Sequence, residues 1–361
     1  SSTPPPPSAR IPLACPTQFA QVSARHSTNH PITRWNLAIM LDADYSVKAA
    51  RRALHAFLPD EEFALASLKD PTKLYGTWVF RCKTRGKNST FVCKLSTPDA
   101  AGRAKILNQY QRLKSTHAAM KDPLLTTPQA LAFVEKDCAL IMQHVKGDSL
   151  QHLLLQFSNL AEANTHLQNA GRWISSFQQP TMHPAAFDAK PHMNWLLKKL
   201  QRHDEKLIVI PDHDAFMMEF HQLEQRAAAA QGLPSTRCVT HKDFHLGNLL
   251  FGRKGAVYGI DFENKKEDDA LRDVISFLFD FAIKWPSSAT AFDSLQTAAA
   301  AFLAGYADPA TPPVVFAFFQ KFSALNGWSG LNDRDLANQS KRHRLTCLKL
   351  LAQTSLLGLT R

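Results

Sequence analysis

The stretch from Arg237 to Glu263 gathers polar residues whose types and spacing could do chemistry: His241, Asp243 and Asn248 in one loop, and Asp261 beyond it. Two short apolar runs, Asn248 to Phe251 and Ala256 to Ile260, flank Gly252-Arg253-Lys254-Gly255, a glycine-bounded turn that suits a hairpin. A hairpin folds the loop before its first strand against the end of its second, so the four polar residues meet at one end of two neighbouring strands. Phosphoryl transfer needs such a cluster: the moving group must be positioned, its charge neutralised by metal, and a carboxylate set beside the incoming hydroxyl. Asp243 is the candidate to orient and deprotonate that hydroxyl, while Asn248 and Asp261 offer oxygen ligands suited to Mg²⁺. The same Asp and Asn residues also suit plain turn chemistry in a polar loop.

The spacing His-x-Asp-x-x-x-x-Asn, with Asp-Phe-Glu thirteen residues beyond the Asn, follows the catalytic-loop and Asp-Phe-Gly pattern of kinases. HKDFHLGNLLF followed by GIDFE resembles the aminoglycoside phosphotransferase and choline kinase family, whose loop typically reads His-Gly-Asp-x-His-x-Gly-Asn. His245 and Gly247 stand at two positions of that pattern that protein kinases lack, so the likeness is to the small-molecule branch. The resemblance implies an α+β, two-lobed protein-kinase-like fold with a small antiparallel-sheet N-lobe and a mainly helical C-lobe. It also implies ATP- and Mg²⁺-dependent phosphorylation of a hydroxyl on a small molecule, whether a sugar, an amino alcohol or an aminoglycoside-like compound. A kinase of a protein or a lipid-linked sugar would use the same scaffold, and a nucleotide-binding pseudokinase serving as an interaction module is the rival from another class. His241 reads as a buried hydrogen-bonding residue that shapes the loop, because Asp243 already fills the role of base; His245 is assigned no chemistry.

These residues need elements to hold them. Residues 1–60 precede anything kinase-like: SSTPPPPSAR reads as a disordered Pro-rich tail, and Ser46 is placed to cap a helix through VKAARRALHAFL that ends before Pro59. Residues 61–145 form the nucleotide-binding lobe, with strands at FALASL, TWVFRCK, STFVCKLS, ALAFV and CALIMQHV. Loop Lys69 to Gly76 covers the nucleotide phosphates in that fold, and RGKN turns between the second and third strands. By resemblance, Lys94 takes the place of the strand lysine that holds the α- and β-phosphates. The helix that follows, about Asp99 to Ser115, lacks the Glu that related kinases pair with this lysine; Gln109 fits the register and could hydrogen-bond Lys94 without adding charge.

LIMQHVKGDSL resembles the family's hinge, in which backbone groups near Gln143, His144 and Val145 read the adenine edge and Asp148 or Ser149 caps the next helix. Residues 146–361 form the catalytic and acceptor-binding lobe and are patterned as helices almost throughout. In the family, an Arg-Asp pair after the hairpin supports the catalytic loop, which gives Asp273 a structural part. Glu267, Asp268 and Asp269 fall in a charged loop near the expected acceptor site, where they either bind hydroxyls or amines or are merely solvated.

The whole chain is consistent with this organisation. Its 361 residues, 45% hydrophobic and 20% charged, suffice for two lobes around a cleft. No apolar run reaches the roughly 18 residues of a membrane span. The six cysteines are scattered without metal-ligand spacing, which argues against a zinc site and a disulfide framework and fits a reducing cytoplasm. The +11 balance would suit an anionic partner, whether nucleotide, phosphorylated sugar or nucleic acid, but Lys and Arg are spread along the chain, which reads as a solvated basic surface with no nucleic-acid partner expected. A positive chain also makes a polycationic aminoglycoside the less natural acceptor. No feature specifies an oligomeric state.

Overall fold

The computed structural model describes residues 43–69, 76–86, 89–285, 291–306 and 312–357. The Pro-rich tail, most of the loop after Lys69 and the tip of the RGKN turn lie outside the described residues.

Short runs of aromatic and β-branched residues build the first sheet. Helix α1 (Ala43–Phe57) leads into β1 (Phe63–Ser67), β2 (Thr77–Thr84) and β3 (Thr90–Ser96); α2 (Ala100–Ala119) and the short β4 (Leu125–Thr126) precede β5 (Ala130–Val134) and β6 (Ala139–Gln143). Five of these strands form an antiparallel sheet in the order β1-β2-β3-β6-β5. Side chains alternate across β3, so Cys93 and Leu95 pack with Ala50, Ala53 and Leu54 of α1, while Lys94 between them points to the other face. That other face meets Ile106 and Leu113 of α2, whose N-terminus is capped by Asp99 accepting the Gly102 N–H at 2.6 Å. Ser46 is no cap: it lies buried inside α1, which runs on N-terminally through Tyr45, whose ring packs edge-on against Trp78 at 6.3 Å. Strand β6 also stops at Gln143, short of the Val145 that the apolar run suggested.

The remainder is mainly helical. Strand β7 (Gly147–Ser149) and α3 (Leu150–Leu154), capped by Ser149 accepting the His152 N–H, lead to α4 (Leu160–Gln178). The run LQHLLLQFSNL is therefore two elements, split because Asn159 caps α4 by accepting the Glu162 N–H at 3.2 Å. Strand β8 (His183–Ala186), α5 (Lys190–Asp204), α6 (His213–Ala230) and β9 (Pro234–Val239) follow. After the candidate loop come β10 (Leu249–Gly252), β11 (Val257–Gly259), β12 (Glu267–Asp269), α7 (Leu271–Lys284), α8 (Ala291–Tyr306), α9 (Pro313–Trp328) and α10 (Gln339–Gln353).

Two small sheets carry the candidate residues. One has the order β4-β11-β10-β7 and contains the hairpin, with Leu249 opposite Gly259. The other, β12-β9-β8, was not anticipated: Glu267 to Asp269 pair with Val239 to Arg237 where the sequence suggested a charged loop. The hairpin sits directly on α4, and a β-carbon at Gly259 would lie 2.0 Å from the Trp173 ring, so the close approach demands glycine. The architecture is two-lobed and α+β, and no helix among the described residues is long and apolar enough to cross a membrane.

Candidate active site

The loop after β9 is held by its main chain. Asp273, at the start of α7 and fully buried, accepts the backbone N–H of His241 at 2.7 Å and that of Lys242 at 2.9 Å. Gln178 donates to the same carboxylate at 3.0 Å, and the Tyr306 hydroxyl donates to Gln178 at 2.9 Å. Burial pushes the Asp273 carboxyl up to about 6 against the pull of these donors. Further along, Asp280 accepts the Leu246 N–H at 3.0 Å.

His241 sits in a box of Trp173, Phe177, Phe244 and Phe262 and donates Nε2–H to the Ile260 carbonyl at 3.1 Å. Burial lowers its pKa to about 4, so the ring is neutral near neutral pH. The side chain joins the loop to the strand end that bears Asp261.

Asp243 is exposed enough to meet a ligand. The Asn248 amide donates to its main-chain carbonyl at 2.8 Å and to its carboxylate at 3.2 Å. His245 accepts the Gly247 N–H on Nδ1 at 3.0 Å, which leaves the ring proton on Nε2, 3.7 Å from the Asp243 carboxylate. The His245 imidazole beside it holds the Asp243 carboxyl below its ordinary range, with burial opposing it. His245, given no chemistry from sequence, is thus a tuning partner; its place two residues after Asp243 was the available signal.

Asp261 ends the second strand in the left-handed conformation (φ 68°) that Asp tolerates. The Lys94 ammonium, itself buried, is bonded to the Asp261 carboxylate. Burial pushes that carboxyl up, but Lys94 and then Lys69 outweigh it and hold it below the usual value. Gln109 does not reach Lys94 as expected: its amide donates to Glu263 at 3.0 Å and to Asp261 at 3.4 Å, and its buried carbonyl oxygen has no partner among the described residues. Glu263, the last residue of Asp-Phe-Glu, was missed; a charge in the place of the usual Gly was the clue.

Two cavities flank this cluster. One, of about 590 Å³, is lined by Lys69, Lys94, Lys105, Gln109, Asp261 and Glu263 among others. The second, of about 360 Å³, is lined by Phe244, His245, Arg272, Asp280, Asn326 and Arg344 among others. Lys242 and Asp243 line both. At the lobe junction, neither His144 nor Val145 has a backbone hydrogen-bond partner among the described residues, while Gln143 is tied to Gln129. Glu267, Asp268 and Asp269 line neither of these two cavities. Glu267 pairs with His183 at 3.2 Å, Asp268 with Arg272 at 2.7 Å, and buried Asp269 accepts the Ser235 hydroxyl at 2.8 Å.

The oxygen donors here suit a hard divalent cation. Asn248 gives its amide nitrogen to Asp243, so its Oδ1 is the atom left over, and the Asp261 carboxylate faces the larger cavity. The donor set fits Mg²⁺.

A family model described as the phosphotransferase enzyme family matches residues 76–315. The chain belongs to this family. Lys242 marks its departure from the family's usual His-Gly-Asp, and it occupies the left-handed conformation (φ 67°) that favours glycine. No curated protein matches the chain in sequence. Among solved structures, the fold is similar to an amicoumacin kinase in complex with AMP-PNP, Ca²⁺ and Ami, at TM-score 0.54 and 13% identity over 91% of this chain and 98% of that one. It is similar to a macrolide 2′-phosphotransferase from Brachybacterium faecium at TM-score 0.53 and 13% identity, over 83% and 97%. Choline kinase from Streptococcus pneumoniae aligns at TM-score 0.50 and 15% identity, over 86% of this chain and all, 100%, of that one. These likenesses establish the shared kinase-like fold, and the family match establishes a phosphotransferase enzyme.

Proposed function

We propose that this phosphotransferase moves the γ-phosphoryl group of ATP, with Mg²⁺, onto a hydroxyl of a small molecule. The observation that carries the reading is that Asp243 lines both cavities, so one carboxylate stands where a nucleotide in the larger and an acceptor in the smaller would meet. The fold relatives support it, since all three are kinases or phosphotransferases of small molecules by their descriptions.

Asp243, ionised at neutral pH, accepts the proton of the acceptor hydroxyl as that oxygen bonds to the γ-phosphorus; the bond to the β–γ bridging oxygen breaks and ADP leaves. Asn248 holds Asp243 in place through two hydrogen bonds. Lys94 supplies a point charge to the α- and β-phosphates, and the free backbone groups of His144 and Val145 meet the adenine edge. Asp261 and Asn248 would hold Mg²⁺, which when bound neutralises charge on the phosphate oxygens. His241, Asp273 and Gln178 do no chemistry; they fix the loop from behind.

The test is transfer of label from γ-labelled ATP to pooled hydroxyl compounds. Label should move to an acceptor, and Asp243→Asn should slow transfer roughly 100-fold or more while ATP still raises the melting temperature. Undiminished transfer by Asp243→Asn would contradict the role given to this carboxylate.

A further inference from the structure

We propose that the acceptor carries an anionic group, a phosphate monoester or a carboxylate, held in the smaller cavity by Arg344, Arg272 and Lys242. This deepens the phosphotransferase reading and rests on it.

The cavity receives cations from three separate elements: Lys242 from the catalytic loop, Arg272 from the first turn of α7, and Arg344 from α10. Its two carboxylates are Asp243 and Asp280. Asp280 is already engaged by Lys284 at 2.8 Å and by the Leu246 N–H at 3.0 Å, so it offers little to a cationic guest. Asp243 is committed to the reacting hydroxyl. Arg272 uses one nitrogen on Asp268 at 2.7 Å, and a guanidinium has further N–H groups to present. Arg344 and Lys242 have no ion-pair partner among the described residues. An amine-bearing acceptor would therefore meet uncompensated positive charge, whereas a phosphate or carboxylate would neutralise it.

The backbone points the same way. At Lys242 the chain adopts φ 67°, a conformation glycine takes freely and lysine does not. The side chain there comes at a conformational cost, and it brings an ammonium to the junction of both cavities.

The experiment compares four probes on one carbon skeleton with the full chain, ATP and Mg²⁺: glucose 6-phosphate, gluconate, glucose and glucosamine. The readout is the kcat/KM of ADP release. One of the two anions should exceed glucosamine at least about tenfold, and Arg344→Glu should erase that margin. Arg344→Gln, which removes charge without reversing it, should fall between. A preference for glucose 6-phosphate over gluconate identifies a phosphate monoester, and the reverse a carboxylate. Preference for glucosamine, a margin that survives Arg344→Glu, or an equal response to all four, including none, overturns the proposal. If ATP still raises the melting temperature in those cases, the phosphotransferase reading stands; if it does not, both fall.

Discussion

The carboxylate of Asp273 accepts the backbone N–H of His241 at 2.7 Å, so a helix of the large lobe grips the loop that carries Asp243 by its main chain. Burial raises this carboxyl from its ordinary 3.8 to about 6. Between those values the folded protein keeps a proton that the unfolded chain has released, so stability from this group is full below about pH 4 and is lost as pH rises through 6. Asp273→Asn keeps the shape, removes the titration, and sets an amide N–H₂ against N–H donors, which costs about 1–3 kcal/mol. The variant should melt lower than wild type, with a deficit that narrows from about pH 4 to about pH 6. His241 titrates in the opposite sense in both proteins, so the difference isolates Asp273. Parallel melting curves across that range would count against this account.

Gln109 explains itself by its neighbours. Its amide donates to Glu263 at 3.0 Å and to Asp261 at 3.4 Å, and restoring the usual helix Glu would bring a third carboxylate to the same spot. Gln109→Glu should lower stability by about 1–3 kcal/mol near neutral pH, less in acid, as seen in melts at both. A variant melting above wild type would mean that Lys94 pairs with position 109 instead.

With Asp243 as the proposed base, His245 is expected to set the acid limit of the reaction. The imidazole beside Asp243 holds that carboxyl below the ordinary value, so the proposed base stays ionised into mild acid. His245→Gln should move the acid limb of the kcat/KM profile to higher pH. An unmoved limb would remove His245 from this role.

Much of this was legible because local chemistry spells it. The turn Gly252 to Gly255, the alternation around Lys94 and the helix beginning near Asp99 are local signals, and each corresponds to an element of the fold. What escaped depends on distant partners. Strand β12 is written in Glu267, Asp268 and Asp269, which look solvated until β9 pairs with them. Ser46 looks like a cap until Tyr45 finds Trp78 and prolongs the helix. Gln109 was assigned to Lys94 by register alone, but Asp261 holds Lys94 and Glu263 takes the glutamine's amide. The candidate residues were foreseen as types, and the partners that set their electrostatics were not.

The most direct measurement is the melting temperature with ATP alone, Mg²⁺ alone and both, for wild type and Asp261→Asn. Each protein is read as a shift from its own ligand-free value, since the substitution also removes the partner of Lys94. A ligand at about 100 times its dissociation constant stabilises by about 2.7 kcal/mol. The account predicts a clear rise with ATP and Mg²⁺ together in wild type, weakened in Asp261→Asn. No rise with nucleotide in wild type, or an equal rise in both proteins, would contradict a metal–nucleotide site built on Asp261.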